Sequence, residues 1–146
     1  MTDPETPPLT TDRAVRDFVE QLVGEAIRPQ CWVFLLDAGD RPLPVALPID
    51  DLPMPADPQE TARFAAALDG IASGTGPAAV LLALERPGPD DLTPSEAAWA
   101  RNVRRSFDGC ATRLRALVLV HDRGLRLLDA AALVAGSAFA RAARTG

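Results

Sequence analysis

The chain contains no lysine and no tyrosine; all fifteen basic residues are arginine. It has one histidine, His121, and two cysteines, Cys31 and Cys110. Without lysine there is neither a Schiff-base nucleophile nor a phosphate-loop lysine. One histidine and two scattered cysteines cannot assemble a Cys/His zinc site of ordinary spacing within the chain. Nor do two distant cysteines read as a disulfide framework, so a reducing cytoplasm is the expected compartment. Aromatic residues make up only 5%, which leaves the core to Leu, Val and Ala. No apolar run approaches the roughly 20 residues needed to span a membrane. The first ten residues are acidic and proline-rich, unlike the basic start and apolar stretch of a signal peptide.

What remains is ample for a globular domain. At 146 residues and 47% hydrophobic composition, one domain is expected, burying roughly 70% of the surface of its unfolded chain. The net charge of −5 hides an asymmetry. Residues 1–98 carry seventeen acidic and six basic side chains, a net of −11, whereas residues 99–146 carry nine arginines and three aspartates, a net of +6. Such a split fits self-association, a basic binding face, or mutual neutralisation within the fold.

Residues 1–10 read as a disordered acidic and proline-rich tail, and 11–146 as a single domain. Val15, Phe18, Val19, Leu22, Val23, Ala26 and Ile27 repeat at helical spacing, with Thr11 as the N-cap and Pro29 as the stop. Cys31 to Leu36 is an apolar run of strand length. Asp37 to Asp40 is turn chemistry, and Leu43 to Ile49 returns as a strand. Its prolines, with Pro42 before it, place that strand at an edge. A second helix runs from about Pro58 through Ile71 to the Gly74–Gly76 loop. Ala78 to Leu84 is uninterrupted and apolar, the pattern of a central strand covered on both faces. Thr93, Pro94 and Glu96 form the capping box of a third helix. Leu114 to Val120 is the next buried strand. His121 to Gly124 turn, with His121 expected to be exposed, and Leu125 to Leu128 pair back. Asp129 caps an alanine-rich helix over about 129–143. Alternating strands and helices predict an α/β fold, a three-layer α-β-α sandwich with a mixed sheet.

Leu84 to Trp99 carries a resemblance. An apolar strand runs into Pro87-Gly88, a short acidic loop follows, and Thr93-Pro94-Ser95-Glu96 opens a helix. This resembles the RadC/JAB-type (MPN-like) metallohydrolase domains, whose sheet has a cytidine-deaminase-like arrangement, and the likeness in element order covers about residues 31–128. In that family a His-x-His-Pro strand end and a downstream Ser-x-x-Asp hold zinc. Leu84 and Arg86 fall where the two histidines would be, and Ala98 where the aspartate would be. Ser95 alone is retained, and the loop is one residue longer than the family pattern. The Asp-His pair of the last strand corresponds to about Ala116-Leu117, and the upstream glutamate to about Pro29 or Gln30. The resemblance thus implies the fold without its ligands. No metal, cofactor or catalytic residue is expected, because zinc hydrolysis needs several nitrogen or carboxylate ligands and a base.

Two functional expectations follow. The first is a cytoplasmic, non-catalytic protein-interaction domain, a pseudoenzyme scaffold that binds a partner or a second copy as a homodimer. Its candidate binding surface is Glu85, Arg86, Asp90, Asp91, Ser95 and Trp99, with Trp99 either packing on the sheet or filling the space of a metal centre. The apolar stretch Ala130 to Ala140 is a candidate dimer surface, with core packing as the competing reading. The second is a nucleic-acid-associated factor using phosphate contacts from Arg101, Arg104, Arg105, Arg113 and Arg115. An enzyme with other carboxylate chemistry offers no residue pair to name. Cys31 and Cys110 are expected to be inert apolar side chains rather than partners of His121, and Asp50-Asp51 and Asp90-Asp91 to be solvated loop charge.

Overall fold

The structure is a computed structural model that describes residues 7–50, 57–75 and 78–129. The chain-order elements are α1 (Asp12–Leu22), β1 (Gln30–Leu36), β2 (Pro42–Asp50), α2 (Pro58–Thr75), β3 (Ala79–Glu85), α3 (Pro94–Asp108), β4 (Arg113–His121) and β5 (Gly124–Leu127). The five strands form one mixed sheet of order β2-β1-β3-β4-β5. β1 runs antiparallel to both β2 and β3, β3 and β4 are parallel, and β5 returns antiparallel to β4. An α/β sandwich results, as the alternation of strands and helices predicts.

Two apolar clusters show why the sheet needs cover on both sides. Side chains alternate across a strand, and all seven residues of β3 are buried. Val80, Leu82 and Leu84 pack with Ala65 and Leu68 of α2 and with Trp99, Val103 and Phe107 of α3. Ala79, Leu81 and Ala83 face the other way, towards Val15 and Val19 of α1 and towards Leu9. Trp99 is 1% exposed and packs its ring against Phe64, with centroids 6.3 Å apart.

A bulge sets the phase of β4. Val80 pairs with Leu114 and Leu81 with Ala116, which leaves Arg115 as the extra residue. Leu114 and Leu117 therefore serve the same cluster although three residues apart. The proline-bearing β2 is one of the two edge strands, where a missing N–H costs no ladder bond on the free side.

Element boundaries depart from the sequence pattern in three places. The apolar stripe predicts a first helix to Pro29, but α1 stops at Leu22, and Gly24 adopts a positive φ of 69°. That conformation suits glycine and ends the helix; Ile27 is left 77% exposed. Leu9, in the segment read as a tail, is 1% exposed, and its N–H donates to the Asp40 carbonyl at 2.7 Å. His121 is a correction: it ends β4 at 7% exposure, and its Nδ1 accepts the Arg123 N–H at 3.2 Å. The strand runs one residue further than its apolar stretch, which carries the imidazole into the packed region. The caps are as expected. Thr11 Oγ1 accepts the Ala14 N–H, and Thr93 and Glu96 form the full capping box. The alanine-rich helix expected after Asp129, and with it the candidate dimer surface, lies outside the described residues, as does most of the N-terminal tail. Among the described residues no helix is long and apolar enough to cross a membrane.

Trp99 fills core space between α2 and α3. Trp99→Ala should lower stability to urea unfolding by about 3–5 kcal/mol, the usual cost of deleting a buried aromatic side chain. A loss below about 1 kcal/mol would show that the ring is not part of the packed core.

Candidate functional site

β3 ends in two opposite charges, Glu85 and Arg86, and the alternation of the strand sends them to opposite faces of the sheet. Each is met by polar groups that the local sequence supplies.

Glu85 is 2% exposed. Its Oε2 accepts the backbone N–H groups of Ile27 at 2.8 Å and Arg28 at 3.2 Å. Its Oε1 accepts Gln30 Nε2 at 3.0 Å and Trp32 Nε1 at 2.9 Å. The carboxylate thereby pins the connection between α1 and β1 to the end of the central strand. Burial acts to raise its pKa, but the donors from Trp32, Ile27, Arg28 and Gln30 together outweigh burial, and the pKa falls below the usual 4.5.

Arg86 turns towards α3. Its Nε and Nη2 grip the two oxygens of Glu96 at 2.7 and 3.0 Å, a bidentate pair with side chains only 13% and 9% exposed. Nη2 also donates to the Asp91 carbonyl at 2.9 Å, and Nη1 to the Pro89 carbonyl. One planar guanidinium thus ties the 87–93 loop to the first turn of α3, which the fixed fork of arginine suits and a lysine could not reproduce. Gly88 makes room for it. The residue sits at a φ of +124°, and a Cβ there would come within 3.3 Å of Arg86 Nη1. The loop is further held by the Asp122 N–H on the Gly88 carbonyl (3.0 Å) and Arg126 Nη1 on the Asp90 carbonyl (3.1 Å). Glu96 has a second task, since its Oε1 accepts the Thr93 N–H at 2.9 Å. Burial pushes its pKa up; the hydrogen bonds and charge of Arg86, with those of Thr93, bring it below the usual 4.5.

The six residues of the candidate surface do not share one face. Asp90 and Asp91 are exposed and Ser95 is half-buried on the first turn of α3. Arg86 lies beneath the loop. Glu85 and Trp99 are corrected: both are buried, Glu85 on the α1 side and Trp99 in the α2–α3 core, so neither is a surface contact. Glu96 and Gln30 are the members that sequence reading missed. The capping box marks Glu96 as a helix start, and nothing in the spacing announces its second partner.

The positions that the RadC/JAB resemblance offers to zinc do not suit a metal. Leu84 is 5% exposed within the apolar cluster, Arg86 is a committed cation, and Ala98 brings a methyl group. Among the described residues no three His, Cys, Asp or Glu side chains converge to hold an ion. Cys31 is fully buried, and burial pushes its thiol up to about 12. The Cys110 thiol is raised by burial and by the charge of Asp69. Neither residue hydrogen-bonds to His121 in the described structure.

The expected arginine face is also divided. Arg104 donates through Nε and Nη2 to the Leu128 carbonyl at 3.0 and 2.7 Å. Arg113 pairs with Asp40 at 2.8 Å, and Arg115 reaches the Leu9 carbonyl and Asp40. The bulge that frees Arg115 from the strand phase aims it towards the α1 side, away from α3. Arg105 is exposed and Arg101 half-buried on α3. The acidic and basic halves of the chain therefore neutralise each other in part, Asp40 serving two arginines.

Neither a scan against models of known protein families nor a search of curated proteins gave a match to this chain.

Both folded carboxyl groups titrate below 4.5, so their stabilisation is complete above that pH and is lost as pH falls through the folded values. Glu85→Gln replaces an acceptor by a donor facing donors. It should lower stability at neutral pH by about 3 kcal/mol and flatten the acid limb of a stability-against-pH profile. An unchanged acid limb would mean that Glu85 does not couple folding to proton binding.

Proposed function

We propose that the chain is a non-catalytic protein-interaction module of RadC/JAB-like, cytidine-deaminase-like architecture, acting in the cytoplasm. One observation carries this reading: the strand end and helix start that the resemblance assigns to zinc are joined by the buried Arg86–Glu96 pair. A guanidinium supplies the local positive charge and holds the loop that a metal would otherwise organise. The strand order β2-β1-β3-β4-β5 supports the architecture. A fold by itself carries no function, so the interaction role rests on the replaced donor set and on the exposed apolar groups near the end of α1. The nucleic-acid reading draws less support, because Arg104, Arg113 and Arg115 are engaged by acceptors of the chain itself.

Capture of the tagged protein from lysate of its source cells, with and without nuclease, tests this reading. A protein recovered near stoichiometry and indifferent to nuclease is the expected result. Recovery only of nucleic acid, or of proteins lost on nuclease treatment, would overturn it. In the second case duplex binding should fall steeply with salt and vanish in Arg104→Glu/Arg105→Glu.

A further inference from the structure

The last described strand stops short of its neighbour. β5 pairs with β4 only over Val118–His121, and the Leu128 N–H adds one bond, to the Leu117 carbonyl. β4 itself begins at Arg113, so among the described residues its first length has no strand on the β5 side. Beside that length a cleft of about 390 Å³ opens between the C-terminal turn of α3 and the start of β4. Phe107, Cys110 and Leu114 give it an apolar floor. The volume lies within the roughly 300–1,000 Å³ range of clefts that bury small ligands, so aliphatic side chains fit.

The arginines of the cleft do not call for a charged occupant. Arg113 is paired with Asp40, and Arg104 directs Nε and Nη2 to the Leu128 carbonyl. Asp108 lines the cleft as well, and Asp69 is bonded to Thr112 beside it. With those charges met locally, the floor is what remains to be covered. The Arg104 contact also sets where the chain goes next. It holds the fully buried Leu128 against a residue of the cleft wall. β5 is antiparallel to β4, so the chain is heading towards the start of β4 when the strand ends. The residues after Asp129 are delivered at the cleft.

We infer that the cleft is filled by residues 130–140 of the same chain, which lie outside the described residues. Sequence and reach select this occupant. Ala130 to Ala140 holds no charged residue, and Leu133, Val134 and Phe139 are its large apolar side chains. Leu114 stands three residues before Leu117, about 10 Å along the strand. The five residues from Leu128 to Leu133 extend to ~17 Å, so Leu133 reaches the floor. A tether that short holds the segment at roughly millimolar effective concentration, which a second copy in dilute solution does not match. Residues 130–140 are thus a strap that closes the cleft and shelters the Cys110 thiol, and not a free dimer surface. The inference goes beyond the interaction-module reading and does not depend on it.

The two native thiols of the full chain provide the test. Cys110 lines the cleft and Cys31 is buried in β1, so an aromatic disulfide reagent reads cleft and fold separately. In the wild type Cys110 should react slowly, at a rate that does not change with protein concentration. Leu133→Asp and Phe139→Asp should each speed that reaction at least about tenfold, as local opening no longer limits it, while Cys31 stays protected. If Cys31 reacts too, the variant has unfolded, and Leu133→Ser and Phe139→Ser take its place. Equal Cys110 rates in wild type and variants would overturn the inference, because the segment would not be what covers the thiol. Protection lost on dilution, with a dimer seen in sedimentation, would also overturn it and assign the cleft to the segment of a second copy. Capture of another protein from lysate does not enter these rates, so either reading can fail without the other.

Discussion

The Arg86–Glu96 pair is the contact on which the end of the central strand and the start of α3 are organised. Buried ion pairs are costly to form, because both charges leave water, and they hold only where remaining donors and acceptors are met. Here they are met: the guanidinium reaches two loop carbonyls as well as the carboxylate, and the carboxylate also accepts a capping N–H. The 87–93 loop, the start of α3 and the end of β3 are thus fixed by one side chain. Its neighbour Glu85 does the same on the opposite face for the α1–β1 connection. Adjacent opposite charges at the end of a central strand tie both helical layers to the sheet.

That constraint explains why the RadC/JAB resemblance and the local chemistry diverge. The strand, the glycine turn and the capped helix answer to backbone geometry, which Pro87, Gly88, Thr93 and Pro94 satisfy whatever lies between them. A metal centre would need donors at 84, 86 and 98. An apolar residue, a cation and a methyl group stand at these positions, and the cation holds the loop through its own hydrogen bonds. A retained scaffold with replaced chemistry is the physical content of the interaction-module proposal.

Much of the fold was legible in the sequence because period and punctuation agreed. The unbroken apolar run at Ala78–Leu84 predicts a strand covered on both faces, and all of β3 is buried. The prolines at 42, 44 and 48 predict an edge, and β2 is one. The Thr93–Glu96 capping box is present. What failed has two sources: one local stop signal, Gly24, that outranked the apolar stripe, and contacts that no local pattern encodes. The apolar stripe of the first helix continues to Ile27, but Gly24 breaks the helix first. His121 reads as a turn residue, yet β4 carries it into the packed region. Glu85 and Trp99 look like rims of one pocket because they flank one loop, while strand alternation and the helix face send them to different layers. The arginines at 113 and 115 look like one patch with those at 101–105 until the bulge at Arg115 is known.

A double-mutant cycle on Arg86→Met and Glu96→Gln, read by urea unfolding, tests the organising role of the pair most directly. Each single change leaves a buried partner uncompensated and should be strongly destabilising, at about 3–5 kcal/mol for loss of the cation. The double variant should recover much of that loss, giving a coupling above about 2 kcal/mol. Additive effects, with a coupling below about 0.5 kcal/mol, would show that the two side chains stabilise the loop and the helix independently. The pair would then not be the contact that organises this end of the sheet.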